Sequence, residues 1–225
     1  MDTVKKTNTA STLPLYTISE EIANSVLHGV GALAATAGLV LLTVKTLGFL
    51  GGKRTGNLDL IAVLLFTATM IAMFLISTLY HAIQHQVAKK VLRRLDHSVI
   101  FIFIAGTYSP FCLSALKGTW GWTLFAIEWS LAITGIILNI IGWKILKKIE
   151  VAVYIIMGWA IIAGSVPLVR AVPVQSVILL ISGGIAYTIG AVLYRMKNIK
   201  FNHAIWHVFV LIGTVCHWFS IWYII

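Results

Sequence analysis

Apolar residues in this chain run in long stretches, without the strict alternation of a half-buried strand or the narrow stripe of a soluble amphipathic helix. A helix that crosses a bilayer needs about 20 predominantly apolar residues. Runs of that kind fall at about 24–47, 59–81, 97–116, 121–143, 151–170, 174–194 and 203–224. Turn-like or charged separators stand between them: Gly51-Gly52-Lys53-Arg54, Lys89-Lys90 with Arg93-Arg94, Lys117-Gly118, Lys147-Lys148, the stretch from Arg170 to Pro173, and Arg195 to Lys200. The division between the fifth and sixth runs rests on Pro167, Arg170 and Pro173 alone. The pattern predicts an all-α integral membrane protein. Its single domain, 24–225, is a seven-transmembrane helix bundle preceded by a short polar cytoplasmic tail, 1–23. There is no convincing internal repeat and no low-complexity tract.

Composition agrees. Only 11% of residues are charged and 59% are hydrophobic, whereas soluble domains carry about 25% charged residues. The net charge of +10 does not point to nucleic acid. Basic residues gather in short loops, where they orient the chain and meet anionic head groups, so membrane lipids are the expected partners. With seven spans, one face holds twelve basic residues: Lys5, Lys6, Lys89, Lys90, Arg93, Arg94, Lys144, Lys147, Lys148, Arg195, Lys197 and Lys200. The other face holds five: Lys45, Lys53, Arg54, Lys117 and Arg170. The positive-inside rule then places the amino terminus in the cytoplasm and the carboxyl terminus outside, in a multi-pass protein of the cell (plasma) membrane. The first twenty or so residues are polar and lack the apolar core of a signal peptide. Cys112 and Cys216 lie inside apolar runs and read as packing residues, with no CxxC metal pattern. Trp120, Trp122, Trp218 and Trp222 fall near the outer boundary, as an interfacial belt would.

The histidines change the picture. His203-Ala-Ile-Trp-His207 opens the seventh span, and two imidazoles four residues apart share one helical face. His81 ends the second span, Asp96 and His97 begin the third, and His28 lies early in the first. All fall at the cytoplasmic level. Ionisable groups at such a depth are costly and mark a functional site by default. His81, His203 and His207 could supply three nitrogen ligands to zinc and leave a fourth position open for water, as in catalytic sites. Bound zinc lowers the pKa of water to about 7. Asp96 could orient that water or take its proton, and Ser77, one helical turn before His81, could bond the water or a substrate carbonyl. Blander readings compete at every position. An HxxxH pair on a membrane helix can serve structural hydrogen bonding, and the Glu of HExxH is missing. His85 continues the spacing from His81 and could be the ligand instead, or a solvated residue. Asp96 could be a helix N-cap, and His97 packing or capping. Glu128 has no assigned partner, and His217, about 15 Å deeper than His207, no assigned role.

Taken together, these blocks resemble the hemolysin III family, the bacterial branch of the progestin and adipoQ receptors, which include the adiponectin receptors. The matching residues are Glu20-Glu21-x-x-Asn24-x-x-x-His28-Gly29, then Ser77-Thr-Leu-Tyr-His81, then Leu95-Asp96-His97-Ser98 running to Gly106-Thr-Tyr-Ser-Pro110, and His203-Ala-Ile-Trp-His207 with His217 after it. The resemblance implies a seven-helix bundle with its amino terminus inside. It also implies a zinc ion (Zn2+) near the cytoplasmic leaflet, with ligands falling on His81, His203 and His207 and supporting residues on Ser77 and Asp96, which favours His81 over His85. The long cytoplasmic domain of the animal receptors has no counterpart here, which argues against a hormone-receptor role.

Three function classes follow. One is an intramembrane zinc hydrolase of a lipid amide or ester, as ceramidase activity in the animal receptors suggests. Another is a regulator of membrane lipid homeostasis with structural zinc. The third is a cytolytic pore-former, as the family name implies; a secreted toxin is expected to carry a signal peptide or to be soluble, and neither feature is read here. A hydrolase requires a lipid-accessible cavity that reaches the metal. The charge asymmetry makes its own prediction. Reporter fusions should place the amino terminus inside and the carboxyl terminus outside; both ends on one side would remove one of the seven spans, first of all around Pro167–Pro173.

Overall fold

Thr17 starts the first helix with a reciprocal cap. Its hydroxyl accepts from the Glu20 amide at 3.3 Å, and the Glu20 carboxylate accepts from the Thr17 amide at 2.8 Å. A computed structural model of the chain describes residues 16–50, 55–196 and 198–225. The helices are α1 (Ile18–Thr46), α2 (Asn57–Ala82), α3 (Gln86–Pro110), α4 (Gly118–Ile140), α5 (Lys144–Trp159), α6 (Ser165–Ala171), α7 (Val174–Arg195) and α8 (Asn202–Trp222). A π-helical turn, Phe111–Leu116, extends α3, and a 3-10 stretch, Ala160–Gly164, joins α5 to α6. Among the described residues no strand is present, and 7 helical runs are long and apolar enough to cross a membrane, with α5 to α6 acting as one.

Helix starts differ from the apolar runs for a physical reason. An apolar run reports the length immersed in hydrocarbon, whereas a helix continues into the interface wherever its residues favour it. So α1 begins at Ile18 and takes in Glu21 and Asn24, which the sequence pattern puts at the edge of the tail. The basic residues Lys89, Lys90, Arg93 and Arg94 belong to α3 and Lys144, Lys147 and Lys148 to α5, not to loops. Residues 1–15 of the predicted tail, and with them Lys5 and Lys6, lie outside the described residues, as do Lys53, Arg54 and Lys197.

α1 packs between α2 and α8; α2 also packs on α3, α3 on α4, and α8 on α7. The fifth span closes the ring between α4 and α7 and is the least buried of the seven. The main core joins Phe66, Met70, Met73 and Phe74 of α2 to Ala32, Ala35 and Leu42 of α1, Phe103 of α3 and Val210 of α8. Hydroxyls inside the bundle are satisfied locally: Thr67, Thr78, Thr107 and Ser109 each donate to the carbonyl four residues back, at 2.7, 2.7, 2.8 and 3.1 Å. Trp120 and Trp122 are exposed at the start of α4, as a belt requires. Trp218 and Trp222 instead stack on each other and pack against α1, where Trp218 Nε1 donates to the Gly38 carbonyl at 3.3 Å and Lys45 lies over the Trp222 ring. Cys112 and Cys216 are both free thiols.

The α2–α3 seam depends on a missing side chain. A Cβ on Gly106 would lie 2.0 Å from Thr69 Oγ1. Gly106→Val should therefore lower stability by about 1–3 kcal/mol or more, read as a fall in Tm of the detergent-purified protein. Gly158→Ala, where a Cβ meets nothing within 4 Å, should leave Tm unchanged or slightly raised.

Candidate metal centre

His81 lies in the last turn of α2, and Ser77 one turn earlier on the same face. His203 and His207 occupy the first two turns of α8. The α7–α8 connection fixes where α8 starts: Phe201 takes a left-handed backbone (φ 56°), and the Asn202 side chain donates to the Tyr194 carbonyl at 2.8 Å. Across the bundle, His81 Nε2 is 3.1 Å from His203 Nε2 and 3.3 Å from His207 Nε2. One ligand atom from each of the three lies within 4.8 Å of the others, and all three rings are buried. Nitrogens bound at about 2.0–2.1 Å in a tetrahedron stand about 3.3 Å apart, so the spacing fits one metal ion. The donor set fits too, because three imidazole lone pairs converge in a place where bare polar atoms are expensive.

Glu21 sets the tautomer. Its Oε2 lies 2.6 Å from His81 Nδ1. A carboxylate can only accept, so Nδ1 carries the proton and Nε2 presents its lone pair to the centre. The other carboxylate oxygen accepts from Lys89 Nζ, which also donates to Gln84 Oε1 at 3.2 Å and lies over the Tyr80 ring. Carboxylate–histidine pairing of this kind orients metal ligands and raises their basicity. Sequence reasoning missed Glu21 and Lys89 as site residues. A signal for Glu21 was present: Glu21, Asn24 and His28 recur at three and four residues, a polar stripe on an otherwise apolar helix. Lys89 carried none, because a lysine next to a membrane boundary reads as a loop charge. Tyr16 packs its ring on His203 and His81, with centroids 5.1 and 5.9 Å away.

The other candidates separate. His85 is the N-cap of α3, accepting from the Ala88 amide at 3.4 Å. Asp96, ten residues inside α3, is therefore no cap; it is buried beside Ser77 and His81. Its carboxylate is not among the trio within 4.8 Å of one another. Ser77 Oγ is buried beside the Asp96 carboxylate. His97 neither packs passively nor caps: its Nδ1 meets Glu150 Oε1 of α5 at 3.0 Å, and its carbonyl accepts from the Tyr154 hydroxyl at 2.9 Å. The His28 ring lies against His207, centroids 3.8 Å apart, and neither of its nitrogens has a hydrogen-bond partner among the described residues. Glu128 is fully buried on α4, away from the trio, with both oxygens unpartnered among the described residues.

A cavity of about 150 Å³ reaches two of the trio, His203 and His207. Its walls come from α3, the fifth span, α7 and α8, and they are mostly apolar, with Ile100, Phe103, Ile155 and Val210 among them. Ser77, Asp96, His203 and His207 line one end, and His217 lines it farther along α8.

The family model described as "Haemolysin-III related" matches residues 16–218. The chain is 41% identical over 207 residues to "Hemolysin-3 homolog" of Bacillus subtilis (strain 168), covering 92% of this chain and 95% of that protein. It is 40% identical over 204 residues to "Hemolysin-3" of Bacillus cereus, covering 91% of each. It is also 29% identical over 163 residues to the human "Monocyte to macrophage differentiation factor", covering 67% of this chain and 65% of that one. The matched region contains every residue of the histidine trio and its supports, and this chain, a multi-pass membrane protein with three buried histidines that could hold a metal ion, belongs to the haemolysin-III related family.

Proposed function

We propose that the chain is an intramembrane zinc-dependent hydrolase of a lipid amide or ester. The observation that carries this reading is the apolar cavity lined by two of the trio, His203 and His207, with Asp96 and Ser77 also in its wall. A site that only held helices together would have no need of such a chamber. His81, His203 and His207 would hold the zinc. When bound, zinc supplies Lewis acidity, polarising a carbonyl and making water acidic enough to yield hydroxide near neutral pH.

The protein's own residues divide the remaining work. Glu21 holds His81 in the ligating tautomer, and Lys89 holds Glu21. The apolar walls seat an acyl chain and exclude bulk water, which strengthens every electrostatic contact at the mouth. Ser77 Oγ, beside Asp96 in the cavity wall, donates to the substrate carbonyl oxygen. Asp96 accepts a proton from the attacking water as the carbon–oxygen bond forms. It returns that proton to the leaving amine or alkoxide as the scissile bond breaks, so atoms and charge balance.

Zinc content tests the ligands. Purified wild type should carry about one zinc per chain, and His207→Ala should lose it; equal zinc in both would remove His207 as a ligand. Glu21→Ala should lower Tm, because it leaves the buried Lys89 without its carboxylate, and should weaken zinc affinity of the folded fraction by about 10–100-fold, read by chelator competition. A separate assay tests the chemistry. Asp96→Ala should retain much of its zinc at saturating metal and lose hydrolysis of labelled ceramide or phospholipid panels in nanodiscs. A fully zinc-loaded wild type that turns over no panel member would favour a lipid-sensing regulator over an enzyme.

A further inference from the structure

The far end of the cavity carries polar atoms that the proposed hydrolysis does not use. His217 lies ten residues beyond His207 on α8, about 15 Å at 1.5 Å per residue. It is buried, and its Nε2 lies 3.1 Å from the Leu180 carbonyl oxygen. A carbonyl can only accept, so Nε2 carries the ring proton. In a neutral imidazole, Nδ1 is then a bare lone pair. That atom has no hydrogen-bond partner among the described residues. A Cβ on Gly183 would lie 2.3 Å from Cδ2 and 2.5 Å from Nε2, so that edge faces α7, and Nδ1 lies on the opposite edge of a ring that lines the cavity.

Tyr187 lies beside it, ring centroids 5.3 Å apart, and lines the same cavity. Its hydroxyl is 2.9 Å from Thr214 Oγ1. Thr214 already donates its own proton to the Val210 carbonyl at 2.8 Å. The Tyr187 proton must therefore go to Thr214, which leaves the phenolic oxygen with acceptor capacity only. Two neighbouring groups thus have their protons committed to the protein and their lone pairs free. Such a floor rejects a carboxylate or carbonyl and suits a hydroxyl or N–H donor.

We propose that the cavity recognises a lipid whose acyl chain bears a hydroxyl, received by His217 Nδ1 and Tyr187 Oη at the end remote from the histidine trio. The assignment rests on reading the cavity as an acyl-chain site, though not on turnover. The test is binding of ω-hydroxydodecanoic acid and of dodecanoic acid to the full-length, zinc-loaded protein in detergent, by equilibrium dialysis. The ratio of the two affinities in wild type is compared with the ratio in each variant, so that differences in micelle partition cancel. Wild type should favour the hydroxy acid by about tenfold over His217→Leu, one hydrogen bond's worth. His217→Gln should keep part of the preference, since its amide can both donate to Leu180 and accept from the ligand. Tyr187→Phe, a smaller perturbation of packing, should lose part. An unchanged ratio in His217→Leu and Tyr187→Phe would overturn the proposal and assign the lone pairs to solvent. Failure of both acids to bind would overturn it together with the acyl-chain reading. A preserved preference without hydrolysis would support it and sink only the enzyme.

Discussion

A carboxylate beneath a membrane surface must be compensated, and Glu21 is compensated from two other helices. Lys89 of α3 takes one oxygen and His81 of α2 the other. Through His81 the chain of contacts reaches His203 and His207 on α8. Four of the seven spans are therefore tied at one level by a single run of polar groups, most of them buried. Each contact is tolerable only because its neighbour exists. Removing one member of a buried ionic run leaves an uncompensated charge, which costs far more than the pair contributes net. This constraint fixes the vertical register of α1, α2, α3 and α8, and with it the convergence of three ring nitrogens that are distant in sequence.

The opposite wall follows a different rule. The fifth span is the least buried, and polar ties hold it where packing is thin. His97 and Glu150 join α3 to α5, and Tyr154 donates to the His97 carbonyl. Where α5 gives way to the 3-10 stretch, the Tyr108 hydroxyl bonds the Met157 and Gly158 carbonyls at 2.7 and 3.1 Å and accepts from the Ile161 amide at 2.7 Å. An interrupted helix in apolar surroundings must have its freed backbone groups satisfied by neighbours. Tyr108 performs that service and locates the break. The cavity lies between this sparsely packed span and the tightly tied helices.

The seven spans were legible because hydrocarbon immersion is a strong, additive signal over about 20 residues. The level of the histidines was legible for the same reason, since span ends place side chains in depth. Helix extensions were not: polarity ends an apolar run but does not end a helix, so α3 hid its first three turns behind Lys89 to Arg94. That error made Asp96 resemble a cap and left His85, the actual cap, as a rival ligand. Partners in rotation were the other blind spot. Glu21–His81 and His97–Glu150 each join residues more than fifty positions apart, and only packing decides which helical faces meet. His217 was placed at the right depth, but its free lone pair depends on Leu180 and Gly183, contacts that no spacing rule reports.

α8 carries both ends of the chamber. His203 and His207 stand at one end and His217 at the other, on a single helix whose rise sets their separation. Anything that fills the cavity from His207 to His217 therefore touches the helix that supplies two of the three histidines that could hold a metal ion. A lipid that binds better to the metal-loaded arrangement must, by reciprocity, tighten the metal by the same factor. Enzyme and regulator thus share one physical basis. Under the proposed function, cleavage of a bound lipid would depend on Asp96 and Ser77, whereas sensing would depend on how firmly α8 is held. The Glu21 run holds it at the end of the histidine trio. The Trp218–Gly38 contact and the Ser176–Ser220 hydrogen bond, 2.9 Å, hold it at the other. With both ends anchored, the freedom left to the chamber lies in the fifth span, the wall that packs least.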